Sequence, residues 1–185
     1  MNRLDTKAQQ EKLQYLSYRD ALTNLYNRNR YMDVLESYGQ NKGQLIRNVG
    51  IIYMDLNELK KVNDEQGHEA GDSYIRRAAQ QIVAVFPEHT YRIGGDEFVV
   101  LYPEIEQTEF EYFVSQLQKN AKEHQVNISY GVVWKEICEN LEELITEADK
   151  KMYEDKKLYY SNTKHNRRGQ IERNSLLFTA EKKVM

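Results

Sequence analysis

The sequence predicts an α+β domain in which a central, mostly antiparallel sheet is flanked by helices. Two observations carry this prediction. Segments with helical apolar spacing alternate with short apolar runs in the order α-β-α-β-β-α-β-α. Two of the strands also follow one another directly across a glycine-containing turn. Because this order implies few parallel crossovers, a doubly wound parallel sheet is disfavoured.

The first half of the body supplies a helix, a strand and a second helix. Asp20 is a candidate cap for a helix over 20–38. The run "VGIIYMDL" (49–56) is almost continuously apolar and rich in branched residues, which is typical of a strand buried on both faces. Apolar residues at helical spacing then predict a helix over 73–86, which Pro87 ends.

The second half supplies two strands, a helix, a strand and a final helix. "TYRI" (90–93) and "FVVLY" (98–102) are expected to pair as a hairpin, with glycines between them where the turn needs positive φ. Amphipathic spacing predicts helices over 106–124 and 141–160. "VNISYGVVW" (126–134) has the composition of a strand.

Length and composition limit the classes of protein that fit. The chain has 185 residues, 40% of them hydrophobic, which suffices for one domain of ordinary size. A formal net charge of -3 argues against a protein that coats nucleic acid or an anionic membrane. No apolar run reaches the ~20 residues of a membrane span, no signal peptide is evident, and the single Cys138 cannot form an internal disulfide. We expect a cytoplasmic protein, or the cytoplasmic part of a larger, membrane-anchored one.

Three parts follow one another along the chain. Residues 1–16 carry a thin apolar stripe in a polar background, which predicts a connector helix. Residues 17–160 form the globular body. Residues 161–185 are rich in Lys, Arg and Asn and are expected to be a basic, poorly ordered tail.

The stretch "RIGGDEFVVL" (92–101) places two carboxylates between apolar residues. Asp96 lies at the tip of the predicted hairpin and Asp55 near the end of the buried strand, so their carboxylates converge if those strands are neighbours. Adjacent carboxylates repel each other, and a cation relieves the repulsion. Oxygen ligands without His or Cys suit Mg²⁺ or Mn²⁺. The alternative is that Asp96 and Glu97 only make the turn soluble.

The body resembles the GGDEF family of diguanylate cyclases in four ordered segments. They read "RDALTNLYNR" (19–28), "MDLNELKKVNDEQGHEAGD" (54–72), "YRIGGDEF" (91–98) and "EADKKMYEDK" (147–156). The resemblance implies a fold similar to the palm of nucleotide cyclases and polymerases, with one GTP per subunit. It also implies a homodimer in which two GTP-loaded domains meet and form cyclic di-GMP and two pyrophosphates.

The resemblance assigns the catalytic and metal-binding positions. It implies two Mg²⁺ or Mn²⁺ ions per active site, held by Asp55, the Leu56 carbonyl, Asp96 and Glu97. Asp96 would also be the base that helps to remove the proton of the ribose 3′-hydroxyl. Lys60 would stabilise the phosphoryl charge in the transition state.

Asn63, His68 and Asp72 resemble the guanine site of the family. The ionised Asp72 can accept from both the N1–H and the N2 amino group of guanine, whereas adenine offers no donor at N1. Asn63 supplies both a donor and an acceptor. Without the resemblance, Asp72 is more simply interpreted as a helix N-cap, and His68 as a residue that packs or caps.

Gly94, Gly95 and Lys156 match the phosphate-side positions of the family. A Cβ at either glycine would block the close approach of a triphosphate to the backbone. Lys156 is expected to meet the β- and γ-phosphates, but the "GRN" that follows it in the family reads "YYSN" here, so that Tyr160 replaces an arginine. Asn57 stands where many members have a second Asp, and we leave it out of the metal site.

Two further stretches are given no catalytic role. Asp20 and Arg28 are expected to form an ion pair that braces the turn at the start of the body. Many cyclases of the family are inhibited by product at an Arg-x-x-Asp element ahead of the signature, and this position reads "VFPE" (85–88) here. Because Val85 cannot donate a hydrogen bond and Pro87 lacks an N–H, we expect no product inhibition at this place.

Two functions from different classes remain open. The first is an active diguanylate cyclase, a dimer driven by an upstream sensor through the connector helix. The second is a catalytically weak or inactive GTP-binding regulatory module, which the altered phosphate side favours. A pure dimerisation scaffold would leave the carboxylates unexplained. Neither a nucleic-acid partner nor membrane contact by this segment is expected.

Overall fold

The computed structural model describes the backbone of residues 17–40 and 45–181, and the side chains of 17–39 and 45–163. The connector helix predicted over 1–16 lies outside the described residues. One sheet organises the described chain, with the strand order β1-β3-β4-β2-β5. Its strands are β1 Tyr26–Asn27, β2 Ile46–Leu56, β3 Thr90–Arg92, β4 Glu97–Tyr102 and β5 Ile128–Cys138.

Neighbouring strands of the sheet run antiparallel except for β1 and β3, which are parallel. The hairpin of β3 and β4 lies beside β2, as the sequence predicts, and the α+β class with a mostly antiparallel sheet is confirmed. The two-residue β1 was not predicted, because it is too short to leave a periodic pattern in the sequence.

Helices cover both faces of the sheet. They are α1 Arg28–Gln40, α2 Leu59–Gln66, α3 His68–Val85, α4 Gln107–Glu123 and α5 Leu141–Glu181. The sequence did not predict α2, and α3 begins ahead of the expected start at 73. The backbone of α5 continues past the expected end at 160. That 161–185 forms a separate basic tail stays a prediction.

A glycine separates α2 from α3. Gly67 has a φ of 87°, a left-handed angle that residues with a side chain rarely adopt, and its N–H donates to the Asn63 carbonyl at 2.9 Å. The chain therefore turns at Gly67 and lays the two helices against each other. This turn interrupts the apolar period, which is why the sequence did not indicate a helix over 59–66.

Strand β2 is the centre of the core and sends alternate side chains to opposite faces. Met54 and Leu56 belong to the cluster that includes residues of α3 and α4, whereas Val49 and Ile51 belong to the cluster that includes residues of α1 and α5. By the same alternation Asp55 lies on the face that α5 covers.

Two contacts fix α5 against the edge strand β5. A Cβ on Gly131 would lie 1.7 Å from the Ala148 carbonyl oxygen, so the contact requires glycine. Further along the helix, the Asp155 carboxylate accepts a hydrogen bond from the Tyr130 N–H at 2.9 Å. Together they hold the helix segment that carries the next residue, Lys156, over the end of β2.

The structure corrects the partner predicted for Asp20. Its carboxylate pairs with Arg92 at 2.8 Å, not with Arg28. Arg92 also donates to the Gly95 carbonyl at 2.8 Å, so the pair ties the start of the body to the hairpin tip. Burial tends to raise the pKa of Asp20, but hydrogen bonds from Thr23 and Arg92 and the charge of Arg92 outweigh it and leave this pKa lowered.

Candidate active site

Three carboxylates gather where β2 and β4 meet. Asp55 and Glu97 are direct cross-strand partners, and the Leu56 N–H donates to the Asp96 carbonyl at 2.9 Å. The side chains of directly opposite residues are neighbours on one face of a sheet. The register of β2 and β4 thus pairs Asp55 with Glu97, and the charge of Asp96, which the sequence predicted to converge with Asp55, acts on both carboxylates.

The carboxylates destabilise one another in their charged forms. Burial raises the pKa of Asp55, which is 5% exposed, and the charge of Asp96 raises it further, while Lys156 partly offsets both. Burial also raises the pKa of Glu97, together with the charges of Asp96, Asp55 and Asp149. Such a group of acids is stabilised by a proton, a lysine or a cation.

Lys156 supplies part of that stabilisation. Its Nζ lies 2.7 Å from Asp55 Oδ1, and the distance and opposite charges make this an ion pair. The Lys156 ammonium is therefore the charged partner of the buried Asp55 Oδ1. Burial lowers the pKa of Lys156, but the attraction of Asp55 and Asp96 outweighs it, so the net pKa is raised.

The donor set suits a hard divalent cation. Its side-chain donors are all oxygens, and the buried Asp55 Oδ1 already binds one cationic group, the Lys156 ammonium. Among the described residues, no three His, Cys, Asp or Glu side chains are grouped closely enough to enclose a metal by themselves. An incomplete protein donor set is what Mg²⁺ requires when substrate phosphates complete its coordination.

The positive φ predicted for the signature glycines is wrong, whereas their role in the approach of a triphosphate stays a prediction. Neither Gly94 nor Gly95 has a positive φ, so the turn does not need glycine for its backbone angles. A Cβ on Gly94 would lie 2.5 Å from Glu97 Oε2, whereas a Cβ on Gly95 would meet nothing within 4 Å. Gly94 therefore makes room for the Glu97 carboxylate, and Gly95 leaves the backbone at the tip open.

The residues expected to bind guanine lie on α2 and α3. Asn63 is in the last turn of α2, and His68 begins α3. Asp72 lies four residues after His68 and so on the same face of α3. The N-cap interpretation of Asp72 is wrong, because Gly67 takes the cap position.

Lys60 and Tyr160 lie beside one cavity of about 460 Å³ between α2 and α5. Lys60 is exposed in the first turn of α2. The Tyr160 hydroxyl accepts a hydrogen bond from the Glu58 N–H at 3.2 Å, so the residue that replaces the arginine of the family contacts the start of α2. Lys61 pairs at 3.9 Å with the Glu58 carboxylate on the helix surface.

The side chain of Asn57 is bound to β5. It is buried, its Nδ2 donates to Ser129 Oγ at 2.9 Å, and its carbonyl accepts from the Tyr74 hydroxyl at 3.2 Å. Its amide therefore joins the end of β2 to β5. Sequence reasoning missed Arg92 as the residue that braces the hairpin, although its place directly ahead of "IGGDEF" was a usable signal.

The fold and the acidic end of the sheet define a domain of the cyclase palm type. The sequence profile described as "Diguanylate cyclase, GGDEF domain" matches residues 17–161, and the chain belongs to this family. Among the described residues, no helix is long and apolar enough to cross a membrane.

Curated relatives extend the family match. "Diguanylate cyclase DgcS" of Shewanella oneidensis is 33% identical over 144 residues, which cover 74% of this chain and 49% of that protein. "Cyclic di-GMP phosphodiesterase PdeR" of Escherichia coli is 36% identical over 114 residues, which cover 58% of this chain and 16% of that protein. The chain thus spans less than half the length of these two relatives.

Solved structures share the fold. The coiled coil and GGDEF domain of DgcB from Caulobacter crescentus, in complex with c-di-GMP, matches with a TM-score of 0.69 at 20% identity and covers 83% of this chain and 87% of that one. The diguanylate cyclase SiaD of Pseudomonas aeruginosa, in complex with its activator SiaC, matches with a TM-score of 0.65 at 24% identity, over 84% of this chain and 66% of that one. At these identities the matches support the fold alone.

Proposed function

We propose that the domain is an active diguanylate cyclase, which condenses two GTP molecules into cyclic di-GMP with release of two pyrophosphates. The observation that carries the proposal is the cross-strand pair of Asp55 and Glu97 with Asp96 beside it, a partly buried acidic group whose charge needs compensation. A scaffold or a purely structural domain has no use for such an arrangement, because it costs stability.

The carboxylates of Asp55, Asp96 and Glu97, with the Leu56 carbonyl, would hold two Mg²⁺ or Mn²⁺ ions. When bound, these ions neutralise the charge that builds up on the phosphates and make the 3′-hydroxyl more acidic. Gly94 contributes by leaving room for the Glu97 carboxylate, and Arg92 by holding the Gly95 carbonyl in place.

The chemistry is one nucleotidyl transfer per GTP. Asp96 accepts the proton of the ribose 3′-hydroxyl, whose oxygen forms a bond to the α-phosphorus of the second GTP. The bond from that phosphorus to the pyrophosphate oxygen breaks, and pyrophosphate leaves. A second step of the same kind closes the ring, with the 3′-hydroxyl of the second nucleotide attacking the α-phosphorus of the first and a second pyrophosphate leaving. Two domains, each with one GTP, must therefore face each other as a homodimer.

Two lysines serve the phosphates in this proposal. Lys60 is exposed at the start of α2. Its ammonium group would stabilise the negative charge that develops on the phosphate in the transition state. Lys156 already lies among the carboxylates and would turn toward the β- and γ-phosphates once cations replace it at Asp55.

The guanine base is selected by hydrogen-bond pattern. Asp72 accepts from N1–H and the N2 amino group, Asn63 donates and accepts, and His68 lies on the same face of α3 as Asp72. Adenine would leave the Asp72 charge without a donor, at a cost of about 1–3 kcal/mol.

The second candidate is a regulatory GTP-binding module with weak or no turnover. Tyr160 favours it, because this residue cannot supply the positive charge of the arginine that it replaces and already contacts the Glu58 N–H. The name of PdeR, a cyclic di-GMP phosphodiesterase, also shows that similar domains occur in proteins named for another reaction. In either case we expect a cytoplasmic domain that an upstream sensor controls.

One experiment separates the two candidates. The purified chain is incubated with GTP and Mg²⁺, and the products are resolved by chromatography, with Glu109→Ala on α4 as a surface control. Cyclic di-GMP and pyrophosphate in a ratio of one to two support the cyclase. GTP binding by calorimetry without product, at protein concentrations that give a dimer by light scattering, supports the regulatory module instead.

A further inference from the structure

The carboxamide of Asn63 fills the space that a side chain at position 71 would occupy. Gly71 is buried in the first turns of α3. A Cβ built on it would lie 1.8 Å from Asn63 Oδ1, 2.8 Å from Asn63 Cγ and 3.3 Å from Asn63 Nδ2. Real Cβ atoms essentially never approach other atoms this closely, so any residue except glycine at this position displaces the Asn63 side chain.

The backbone of α3 does not explain this glycine. Gly71 is not in the left-handed region, unlike Gly67 with its φ of 87°. Glycine inside a helix costs about 1 kcal/mol relative to alanine, so the helix would be more stable without it. Gly131 differs again, because a Cβ there would meet the backbone of α5 and not the tip of a side chain.

We propose that Gly71 is a positioning residue for guanine recognition, which holds the Asn63 carboxamide beside Asp72. The inference rests on the proposed function, since it assumes that Asn63 and Asp72 contact the base. Gly71 precedes Asp72 in α3 and contacts Asn63 on α2, so it is the point where the two base-contacting side chains are brought together. A residue with a Cβ would turn the Asn63 amide away and leave Asp72 in place.

The first test is a titration with GTP and ATP by calorimetry. We expect Gly71→Ala to weaken GTP binding about tenfold, the worth of about one hydrogen bond, and to leave ATP binding unchanged. Its unfolding temperature should be equal to or higher than that of the wild type, since the displaced atoms belong to a flexible side-chain tip. Gly39→Ala in α1 is the matched control, because a Cβ there meets nothing within 4 Å.

The second test is a double-mutant cycle with Asn63→Ala. If Gly71 acts through Asn63, adding Gly71→Ala to Asn63→Ala causes no further loss of GTP affinity. An equal loss in both backgrounds overturns the inference, and so does full GTP affinity in the single variant Gly71→Ala.

A third measurement needs no nucleotide. The side-chain amide signals of Asn63 in a ¹⁵N-labelled NMR spectrum should shift in Gly71→Ala and stay in place in Gly39→Ala. Unchanged Asn63 signals overturn the contact, whatever the nucleotide binding. A wild type that binds GTP and ATP equally, with shifted Asn63 signals, overturns the proposed guanine site and the role of Gly71 in it, but not the contact between Asn63 and Gly71.

Discussion

Two parts of the candidate active site are built in opposite ways. The acidic end, formed by Asp55, Asp96 and Glu97, lies on strands and in the turn between them, and strand register places Asp55 opposite Glu97, next to Asp96. The proposed base side, formed by Asn63 and Asp72 with His68, lies on two helices that meet at Gly67. The core of the protein fixes the geometry of the acidic end, whereas the close packing of two helices fixes that of the proposed base side.

The difference has an energetic consequence. Asp55 and Glu97 have raised pKa values in the folded chain, so what they contribute to stability is present below their ordinary values of 3.8 and 4.5 and is lost as the pH rises through the raised values. The acidic end therefore destabilises the charged protein beyond what Lys156 offsets, until a cation compensates the remaining charge. Substitutions at the two parts should accordingly break different properties.

The largest effect is expected at the acidic end. Asp55→Ala or Asp96→Ala should lower cyclase turnover at least about a thousandfold, because the charge compensation of the transition state is lost. The fold should persist, since these side chains lie at the end of the sheet and outside both apolar clusters. Initial rates with GTP and Mg²⁺ and circular dichroism check the two halves of the prediction. Near-native activity in either variant, with Glu109→Ala as the reference, would show that the metal assignment is wrong.

A smaller effect is expected on the base side. Asp72→Ala should reduce the preference for GTP over ATP from about tenfold or more to none, because the acceptor for N1–H and the N2 amino group is removed. The affinity for ATP should not fall and is expected to rise, because the substitution removes the charge that adenine leaves without a donor. Competitive titration of both nucleotides measures the preference. Equal binding of ATP and GTP by the wild type would sink the guanine assignment.

The two parts also differ in how far the sequence could predict them. The convergence of Asp55 and Asp96 follows from a buried strand and a hairpin, patterns that the sequence carries locally. The pairing of Lys156 with Asp55 depends on the approach of α5 to Gly131, and no local pattern states which face of the helix that contact selects. Long-range packing was the part that sequence could not provide.

Two particular errors have the same origin. The choice of Arg28 for Asp20 relied on nearness in sequence, whereas Arg92 reaches Asp20 because β1 pairs with β3. The assumed positive φ at Gly94 relied on turn statistics, whereas the glycine makes room for Glu97 Oε2. In both cases the deciding contact joins residues whose positions only the folded sheet defines.

A moderate effect on stability is expected at Asp20, which lies outside both parts but braces the hairpin. Asp20→Asn should lower the free energy of unfolding by about 1–2 kcal/mol at neutral pH, because Arg92 loses a partly buried partner. The pKa of Asp20 is lowered, so its contribution is present above the ordinary value of 3.8 and is lost as the pH falls through the lowered one. Urea unfolding at neutral pH and below pH 3.8 should show the difference shrink.

Glu97→Gln is the matched comparison for Asp20→Asn, and it should change the free energy of unfolding in the opposite direction. In a chelator it should raise stability at neutral pH, because it removes a carboxylate that burial and its neighbours hold at a raised pKa, and the gain should vanish below pH 4.5. If both variants shift stability in the same direction, the structure does not stabilise the charged Asp20 carboxylate and destabilise the charged Glu97 carboxylate as inferred.

The smallest effect is expected at the C-terminal end of α3, the helix that carries Asp72: added cyclic di-GMP should leave the initial cyclase rate unchanged. The end of α3 and the three residues after it, Val85 to Glu88, stand where many cyclases of the family have the Arg-x-x-Asp product site. Val85 donates nothing from its side chain and Pro87 lacks an N–H, while the Glu88 carboxylate accepts a hydrogen bond from the Tyr26 hydroxyl at 2.8 Å.

An acid without the arginine repels the phosphates of cyclic di-GMP, and Tyr26 already holds Glu88 against β1. Progress curves with added micromolar cyclic di-GMP should therefore keep the initial rate of the untreated enzyme. Glu88→Ala tests whether the carboxylate itself keeps product away, and we expect its rate to be equally insensitive, since no arginine is present at Val85 to clamp guanine. A strong drop in initial rate, together with product bound beside Val85 and Glu88 in a crystal structure, would mean that this end of α3 binds product through contacts other than the arginine.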